Sequence, residues 1–473
     1  MPTSRIVPGR YPAPGTSPIA DAIRERRGAR GLTPLDGTLL HVPPVAQGWN
    51  SLLGAIRTKG NLPGDVRELM ILRVAAHNRA MFEWIHHEHV GRDAGLTTPQ
   101  LLYVRDTTKV PTKEESSTIL SSLQQSALAF AHESTTAVKV SKATSDALKT
   151  DLGDDDDLLV EAAAVVSVYN MVSRFLVSLD VAGMRDEVVP WPADIATHSI
   201  PYKDSPEHHI HVETHVVSPD APWLVFSNSL LTNTTMWSYL LSYILAPPRL
   251  YNVLLHDQRG HGKSLSPPSP LATIPLLAQD IAHILDVVKI PQVHAVIGVS
   301  QGGAAALSFG TQFPSRTKLV VSCDTSPKTP AGNKEAWESR IAHAKEKGMK
   351  GLAEITVPRW FPEGSGIIAP RREAVDEMVE ATTIDGFALG ANALMGYDLY
   401  EDGLENCKVK TLLIAGSLDG GGNVPKGMKA LQERWSRKGG DVQFAEVANA
   451  GHLPMIDATE EYWSILQPFL ASV

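Results

Sequence analysis

Apolar positions along this chain keep two different periods, and the change from one to the other falls near its middle. From Ala20 to about Val181 they recur at helical intervals almost throughout, broken by Pro, Gly and Asp clusters, which predicts an all-α domain over residues 1–190. Its clearest helix lies in Leu62–Ala75 (LPGDVRELMILRVA), opened by a proline, and a second runs from roughly Ala80 to Ala94 and stops near Gly95. Asp154 to Asp157 form an acidic turn before another helix. Farther on, apolar residues gather instead into short runs: Trp223–Phe226, Tyr251–His256, His294–Ile297, Leu319–Cys323, Thr411–Leu418 and Val442–Val447. These predict an α/β domain with a mostly parallel sheet over 206–473. Pro190, Pro192 and Pro201 punctuate the interval between, so 191–205 is expected to be a linker without regular structure. No internal repeat is visible.

Candidate chemistry sits at the ends of the short runs. Gly298-Val299-Ser300-Gln301-Gly302 follows a strand-like run and precedes the helix-like Gly303–Leu307, so Ser300 occupies the apex of a strand–turn–helix elbow. A serine hydroxyl becomes a useful nucleophile when a neutral imidazole takes its proton, and a carboxylate behind the imidazole fixes its tautomer. Asp419 closes a later strand, and His452 lies in the loop Asn449-Ala450-Gly451-His452, giving the chain order Ser, Asp, His. Asp324, which also ends an apolar run, is the rival acid. The oxyanion hole is expected from the backbone N–H groups of Gln301 and Leu230, with Asn228 or Ser229 as side-chain helpers. The Gly-rich loop Asp257–Ser264 holds His261, expected to be structural, with the loop's Arg and Asp bonding backbone.

The words SNS-L, HDQRGHGKS, GVSQGG, GSLD and AGH, in this order from about His209 onward, resemble an α/β-hydrolase of the 3-oxoadipate enol-lactonase kind. Trp337 with Arg340, Arg359-Trp360-Phe361, Gly386-Phe387 and Tyr397-Asp398-Leu399 are similar to that family's lid, which the resemblance locates at about 328–400. It implies hydrolysis of a lactone or ester, with Trp337, Arg340, Arg359 and Trp360 receiving a flat substrate that bears a carboxylate. The sequence departs from the family at Leu231, where a glycine is usual, and at Gly420-Gly421-Gly422-Asn423, which lengthens the loop after the acid.

The helical half resembles the carboxymuconolactone decarboxylase-like superfamily, which includes the alkylhydroperoxidase-like proteins. The similar stretches are LPGDVRELMILRVA, FEWIHHEHVGRDAGLT and Tyr169–Phe175. The peroxidase branch has cysteines where this chain has Ala80 and Glu83, and the chain's only cysteines are Cys323 and Cys407, so dithiol chemistry in this half is excluded. Glu68, Glu83 and His87 remain as a carboxylate and imidazole set able to move protons, with Glu83 and His87 one turn apart on a shared face. His86 and His89 face elsewhere and are expected to be solvated. The resemblances together imply a bifunctional enzyme of aromatic catabolism, in the β-ketoadipate pathway, that joins decarboxylation of 4-carboxymuconolactone to enol-lactone hydrolysis. The alternative is a single-activity esterase or lactonase of a biosynthetic route whose helical domain only mediates oligomerisation.

A length of 473 residues suits two domains with separate cores, and a formal net charge of −9 argues against nucleic acid or anionic membrane as partners. No apolar run is expected to reach a membrane span of roughly 20 residues, and Met1 to Pro18 lacks a signal peptide's apolar centre. No recognised metal-ligand spacing appears among the histidines, and neither metal nor cofactor is expected. The expected partners are a small lactone or ester and further copies of the chain, joined through the helical domain. The expected compartment is the cytoplasm.

Overall fold

The computed structural model describes residues 6–28, 31–110, 116–248, 250–265 and 271–473. The chain divides into two compact units, Met1–Pro192 and Ala193–Val473.

In the first unit the described residues form helices Pro18–Arg27 (α1), Pro34–Leu39 (α2), Pro43–Thr58 (α3), Gly64–His77 (α4), Met81–Asp93 (α5), Thr98–Arg105 (α6), Ser122–Ala137 (α7), Lys142–Asp151 (α8) and Asp156–Ser178 (α9). Pro63 caps α4, and every residue from Glu68 to Ala76 is buried, because α5, α7 and α9 pack around it. A helix covered on all sides needs partners for its polar groups. Arg73 finds them in the carbonyls of Val104, Asp106 and Lys109. Helix α9 begins on an Asp155 cap that accepts from the N–H groups of Asp157 and Leu158.

One expectation is corrected here. At 23 residues, α9 is long and apolar enough to cross a membrane by length and composition, although no run of that kind was expected. Glu161, Asn170 and Arg174 punctuate it, which hides the run in the sequence. Ala162, Val165, Val166, Tyr169 and Leu176 are buried in the unit's core, so it packs as a core helix.

The second unit is built on an eight-stranded sheet of Asp194–Pro201 (β1), His209–Val216 (β2), Trp223–Ser227 (β3), Asn252–His256 (β4), Val293–Val299 (β5), Thr317–Cys323 (β6), Lys410–Gly416 (β7) and Val442–Val447 (β8). The spatial order is β1-β2-β4-β3-β5-β6-β7-β8, with the β1–β2 and β2–β4 pairings antiparallel and the other five parallel. The expected linker 191–205 therefore contains a strand. From Asp194↔Val216 to Pro201↔His209, β1 pairs with β2 along its whole length. It is an edge strand with mostly exposed side chains, so no apolar alternation marks it, and Pro201 sits at its end, where an edge tolerates proline.

Around the sheet lie Ser238–Ile244 (α10), Ile274–Val287 (α11), Gln301–Gln312 (α12), Asn333–Trp360 (α13), Ala369–Ala381 (α14), Ile384–Asn392 (α15), Asn423–Arg437 (α16), Pro454–Asp457 (α17) and Thr459–Leu470 (α18). Helices α13 to α15 form an insertion between β6 and β7. Its two ends are tied by a bridge between Lys328 and Asp398, and α13 breaks at Gly348, which has φ 75°.

The elbow between β5 and α12 is packed backbone against backbone. Ser300 has φ 56° and ψ −118°, a conformation costly for a residue with a Cβ, and its N–H donates to Cys323 O at 2.8 Å. A Cβ on Gly298 would lie 2.0 Å from Gly302 O, and one on Gly302 would lie 2.1 Å from Ser227 O. Both obstacles are backbone and cannot swing aside. Gly302→Ala is therefore expected to lower stability by about 2–3 kcal/mol. Gly427→Ala, in α16 with open space around the position, should raise it by ~0.5–1 kcal/mol. Urea unfolding followed by tryptophan fluorescence checks both, and a Gly302→Ala protein as stable as the parent would refute the packing argument.

Candidate active sites

In the sheet unit, β5 carries Ser300 to its carboxyl end, where sites in parallel sheets form. Helix α12 starts immediately after it, and the Ser300 side chain makes no capping hydrogen bond, so the helix N-terminus and its partial positive charge face the region of the hydroxyl. Asp419 stands just beyond β7 and His452 in the loop after β8. His452 Nδ1 meets Asp419 Oδ2 at 2.8 Å, with the imidazole 15% and the carboxylate 8% exposed. Burial pushes the Asp419 carboxyl up, but the charge and hydrogen bond of His452 and a hydrogen bond to Asp324 outweigh it and hold the group below its usual range. The ring of His452 stacks on Trp360 at 5.8 Å, and its backbone N–H donates to Trp360 O. No hydrogen bond joins Ser300 Oγ to His452, a looseness common in resting nucleophile–base pairs.

The rival acid lies next to this pair without touching the imidazole. Asp324 Oδ1 accepts from Gly416 N–H at 2.9 Å, and the Cys323 thiol donates to Oδ2. Donor atoms of Asp324, Asp419 and His452 lie within 4.8 Å of one another, the one group among the described residues close enough to hold a cation. The hydrogen bond from His452 to Asp419 accounts for part of that spacing.

The expected oxyanion residues flank the elbow. Leu230 is buried in the loop after β3, and Leu231 beside it adopts φ 69° without being glycine. Gln301 is the first residue of α12, so its N–H has no helical acceptor, while its side-chain amide donates to Gly390 O at 2.6 Å. Asn228 is engaged through both ends of its side-chain amide. Its amide donates to His256 O, and its carbonyl accepts from Trp237 Nε1. Ser229 Oγ is buried with no partner. In the Gly-rich loop Asp257 accepts from Thr234 and Lys263 N–H, while Arg259 pairs with the carboxylates of Asp280 and Asp204 rather than with backbone as expected, and His261 Nδ1 bonds Arg259 O.

On the insertion, the Arg340 guanidinium lies 4.4 Å over the Trp337 ring, which meets Phe387 edge-on. Trp337 Nε1 is buried without a partner. Burial and then the neighbouring Arg359 lower the Arg340 guanidinium to about 10, and burial lowers Arg359 while the charge of Asp419 opposes it. Among the described residues no carboxylate forms a salt bridge with either arginine, so the structure joins Arg340 to Arg359 electrostatically and Arg359 to the Asp419–His452 pair.

In the helical unit, α4, α5 and α9 bring a second set together. His87 Nδ1 contacts Glu68 Oε2 at 2.7 Å, both side chains being buried. The carboxylate places the ring proton on Nδ1, which leaves Nε2 to accept from Tyr169 OH at 3.1 Å, with Arg57 3.4 Å away. Arg57 Nε donates in turn to the Tyr169 hydroxyl at 2.7 Å. Burial, against the pull of Glu68, holds the His87 imidazole below its usual range. Glu83 does not join His87, although it shares the helix. Its carboxyl accepts from Ser173 Oγ, and burial raises its proton affinity well above the ordinary value. His86 is half-buried rather than solvated, stacked on Phe82 with Nδ1 at Phe82 O, whereas His89 is exposed. Arg57 and Tyr169 are the members that sequence reasoning missed. They arrive from α3 and α9, and only Tyr169 lies within a family-like stretch.

The comparisons with known proteins divide along the same boundary. A model of the alpha/beta hydrolase family matches residues 224–464, and one of the carboxymuconolactone decarboxylase family matches residues 43–107. 3-Oxoadipate enol-lactonase 2 of Acinetobacter baylyi is 32% identical over 203 residues, 42% of this chain and 72% of that protein. 3-Oxoadipate enol-lactonase 1 of the same organism is 29% identical over 54% of this chain and 90% of its own length. The crystal structure of the enol-lactonase from Burkholderia xenovorans superposes with a TM-score of 0.50 at 26% identity, covering 57% of this chain and all of that one. The chain thus belongs to the alpha/beta hydrolase family, its sheet unit matching the enol-lactonases and its helical unit matching the carboxymuconolactone decarboxylase family.

Proposed function

We propose that the sheet unit is a serine hydrolase that opens a carboxylate-bearing lactone of the 3-oxoadipate enol-lactone type. The 2.8 Å contact of His452 with Asp419, at the sheet edge that bears the Ser300 elbow, carries this reading. His452 Nε2 takes the Ser300 hydroxyl proton as Oγ attacks the lactone carbonyl carbon. Negative charge then grows on the carbonyl oxygen, where the N–H groups of Gln301 and Leu230 stabilise it. Collapse breaks the ring C–O bond. The leaving enolate oxygen receives the proton from His452, and the enol becomes a ketone. Water, activated by the same imidazole, cleaves the acyl-enzyme and frees Ser300 and the second carboxylate.

The substrate's own carboxylate is assigned to Arg340 and Arg359. A half-buried Arg340 guanidinium that the neighbouring Arg359 lowers, and an exposed Arg359, neither with a salt-bridge partner among the described residues, gain from an added anion. Trp337 and Trp360 supply flat apolar surface for the ring.

Ser300→Ala is expected to reduce lactone turnover by roughly four orders of magnitude or more, and Asp419→Asn by about the same, with folding unchanged. Stopped-flow or absorbance assays on enol-lactone measure this, and near-parental rates in Ser300→Ala would dismiss the assignment. Arg340→Gln and Arg359→Gln should each raise KM for the anionic lactone roughly tenfold or more, while leaving KM for its neutral methyl ester nearly unchanged. Equal effects on both substrates would reduce the enzyme to a general esterase.

A second reading is supported by the helical unit. The Glu68–His87–Tyr169 series is a proton relay, and Arg57 at its end also lines a narrow cleft with Arg26, Arg27 and Trp49. Of these arginines only Arg27 pairs with a carboxylate of the described residues, Asp36. An anion there could lose carbon dioxide, its C–C electron pair forming an enolate whose carbon takes a proton from the relay. Supplied with 4-carboxymuconolactone, the Ser300→Ala full-length chain is expected to release carbon dioxide, and His87→Ala in that background to release about a hundredfold less. Absence of release from a folded chain would leave the helical unit as a module for self-association, which light scattering reads directly.

A further inference from the structure

The mechanism above uses one of two neighbouring carboxyls. Asp324, at the end of β6, is 2% exposed and takes a left-handed φ of 45° to turn its side chain under β7. One oxygen accepts from Gly416 N–H at 2.9 Å, the other from the Cys323 thiol at 3.0 Å, and a carboxyl oxygen lies within 4.8 Å of donor atoms of Asp419 and His452. Two buried carboxyls in contact repel if both are ionised and attract if they hold one proton between them. Asp419 has the imidazole as partner, and Asp324 has no cation. The proton belongs on Asp324.

We infer that Asp324 is a neutral carboxylic acid that donates its proton in a hydrogen bond to the Asp419 carboxylate, making it a positioning residue one step behind the Ser300–His452–Asp419 series. This rests on that series being the hydrolytic one. Burial and the adjacent Asp419 charge push the Asp324 carboxyl well above its usual range, in agreement with the geometry.

The ionisable groups around Asp324 come from four further segments: Cys323 on its own strand, Asp419 after β7, His452 after β8, Asp457 on α17 and Tyr462 on α18. Arg359 on α13 acts on Asp419 from the other side. Cys323 and Tyr462 are neutral at neutral pH, as burial raises both well above their ordinary values. Of these groups Asp419 is the carboxylate that shares a 4.8 Å cluster with Asp324 and His452, which makes it the acceptor assigned to the Asp324 proton.

The functional consequence has a definite sign. An O–H donor on Asp419 disperses its charge and lowers its basicity. Without the donor, the Asp419–His452 couple binds its first proton more tightly, and the acid limb of kcat/KM moves to higher pH.

The test uses the full chain with 4-nitrophenyl acetate, so that it does not depend on the lactone assignment. Asp324→Asn keeps a neutral donor of the same shape and should retain turnover within about threefold, with an unmoved acid limb. Asp324→Ala should lose on the order of tenfold in kcat, with the limb shifted up by about one pH unit. The infrared difference between parent and Asp324→Asn at neutral pH should contain the C=O stretch of a protonated carboxylic acid. The inference is overturned if that difference shows an ionised carboxylate, if Asp324→Asn is as damaged as Asp419→Asn, or if folded Asp324→Ala keeps the parental profile. Should Asp324→Ala fail to fold, the Asn variant and the infrared band decide. Ser300→Ala run alongside separates the premise from the inference: if it still turns over 4-nitrophenyl acetate, the hydrolytic series is wrong, whatever the infrared result.

Discussion

Backbone against backbone at the β5–α12 elbow is the constraint on which the sheet unit's chemistry depends. The carbonyls of Ser227 and Gly302 occupy the space where side chains of Gly302 and Gly298 would otherwise stand, and Ser300 N–H is fastened to Cys323 O. Three parallel strands, β3, β5 and β6, are thereby locked at the level of the nucleophile. The strain in Ser300 is sustained because the surrounding backbone leaves no other course for the chain. Leu230 N–H from the β3 loop, Gln301 N–H from α12 and Asp324 from β6 inherit their positions from this junction.

Electrostatics then divides the labour among similar groups. Each unit contains an imidazole held through Nδ1 by a carboxylate at nearly the same distance, 2.7 Å at Glu68 and 2.8 Å at Asp419. Their surroundings differ. His452 keeps some exposure and an aromatic platform, leaving Nε2 for an exogenous group. His87 is buried, with Nε2 already engaged by a tyrosine whose hydroxyl also bonds an arginine. The first pair thus keeps an open ring nitrogen, whereas a proton leaving the second must pass through Tyr169 or displace it. The same low dielectric raises the proton affinity of Glu83 and Asp324 well above the usual carboxyl range, so burial disfavours charge on two of the carboxyls that look like acids in the sequence.

The insertion between β6 and β7 contributes the opposite sign. Arg340 and Arg359 have no salt bridge among the described residues, Arg359 lowers the proton affinity of Arg340, and the charge of Asp419 acts on Arg359. Trp360 couples this region to the base, since its carbonyl and ring both hold His452. Binding of an anion and orientation of the imidazole therefore share one short segment, Arg359-Trp360.

The sequence by itself determined the division into a helical and an α/β half, the positions of most strands, the elbow at Ser300 and the order of its partners. These features are local: apolar periodicity fixes an element, and glycine spacing fixes a turn. It did not determine β1, whose exposed edge carries no apolar alternation, nor the core role of α9, whose scattered polar residues hid its apolar length. Tertiary structure alone decided which aspartate meets His452, because Asp324 and Asp419 end neighbouring strands with similar patterns and differ only in where their loops carry them. It also took Glu83 away from His87 and brought Arg57 and Tyr169 to it. Helical spacing shows which residues share a face, but packing of α3, α4 and α9 around α5 determines which of them finds a partner, and the desolvation that packing imposes decides which keeps its charge.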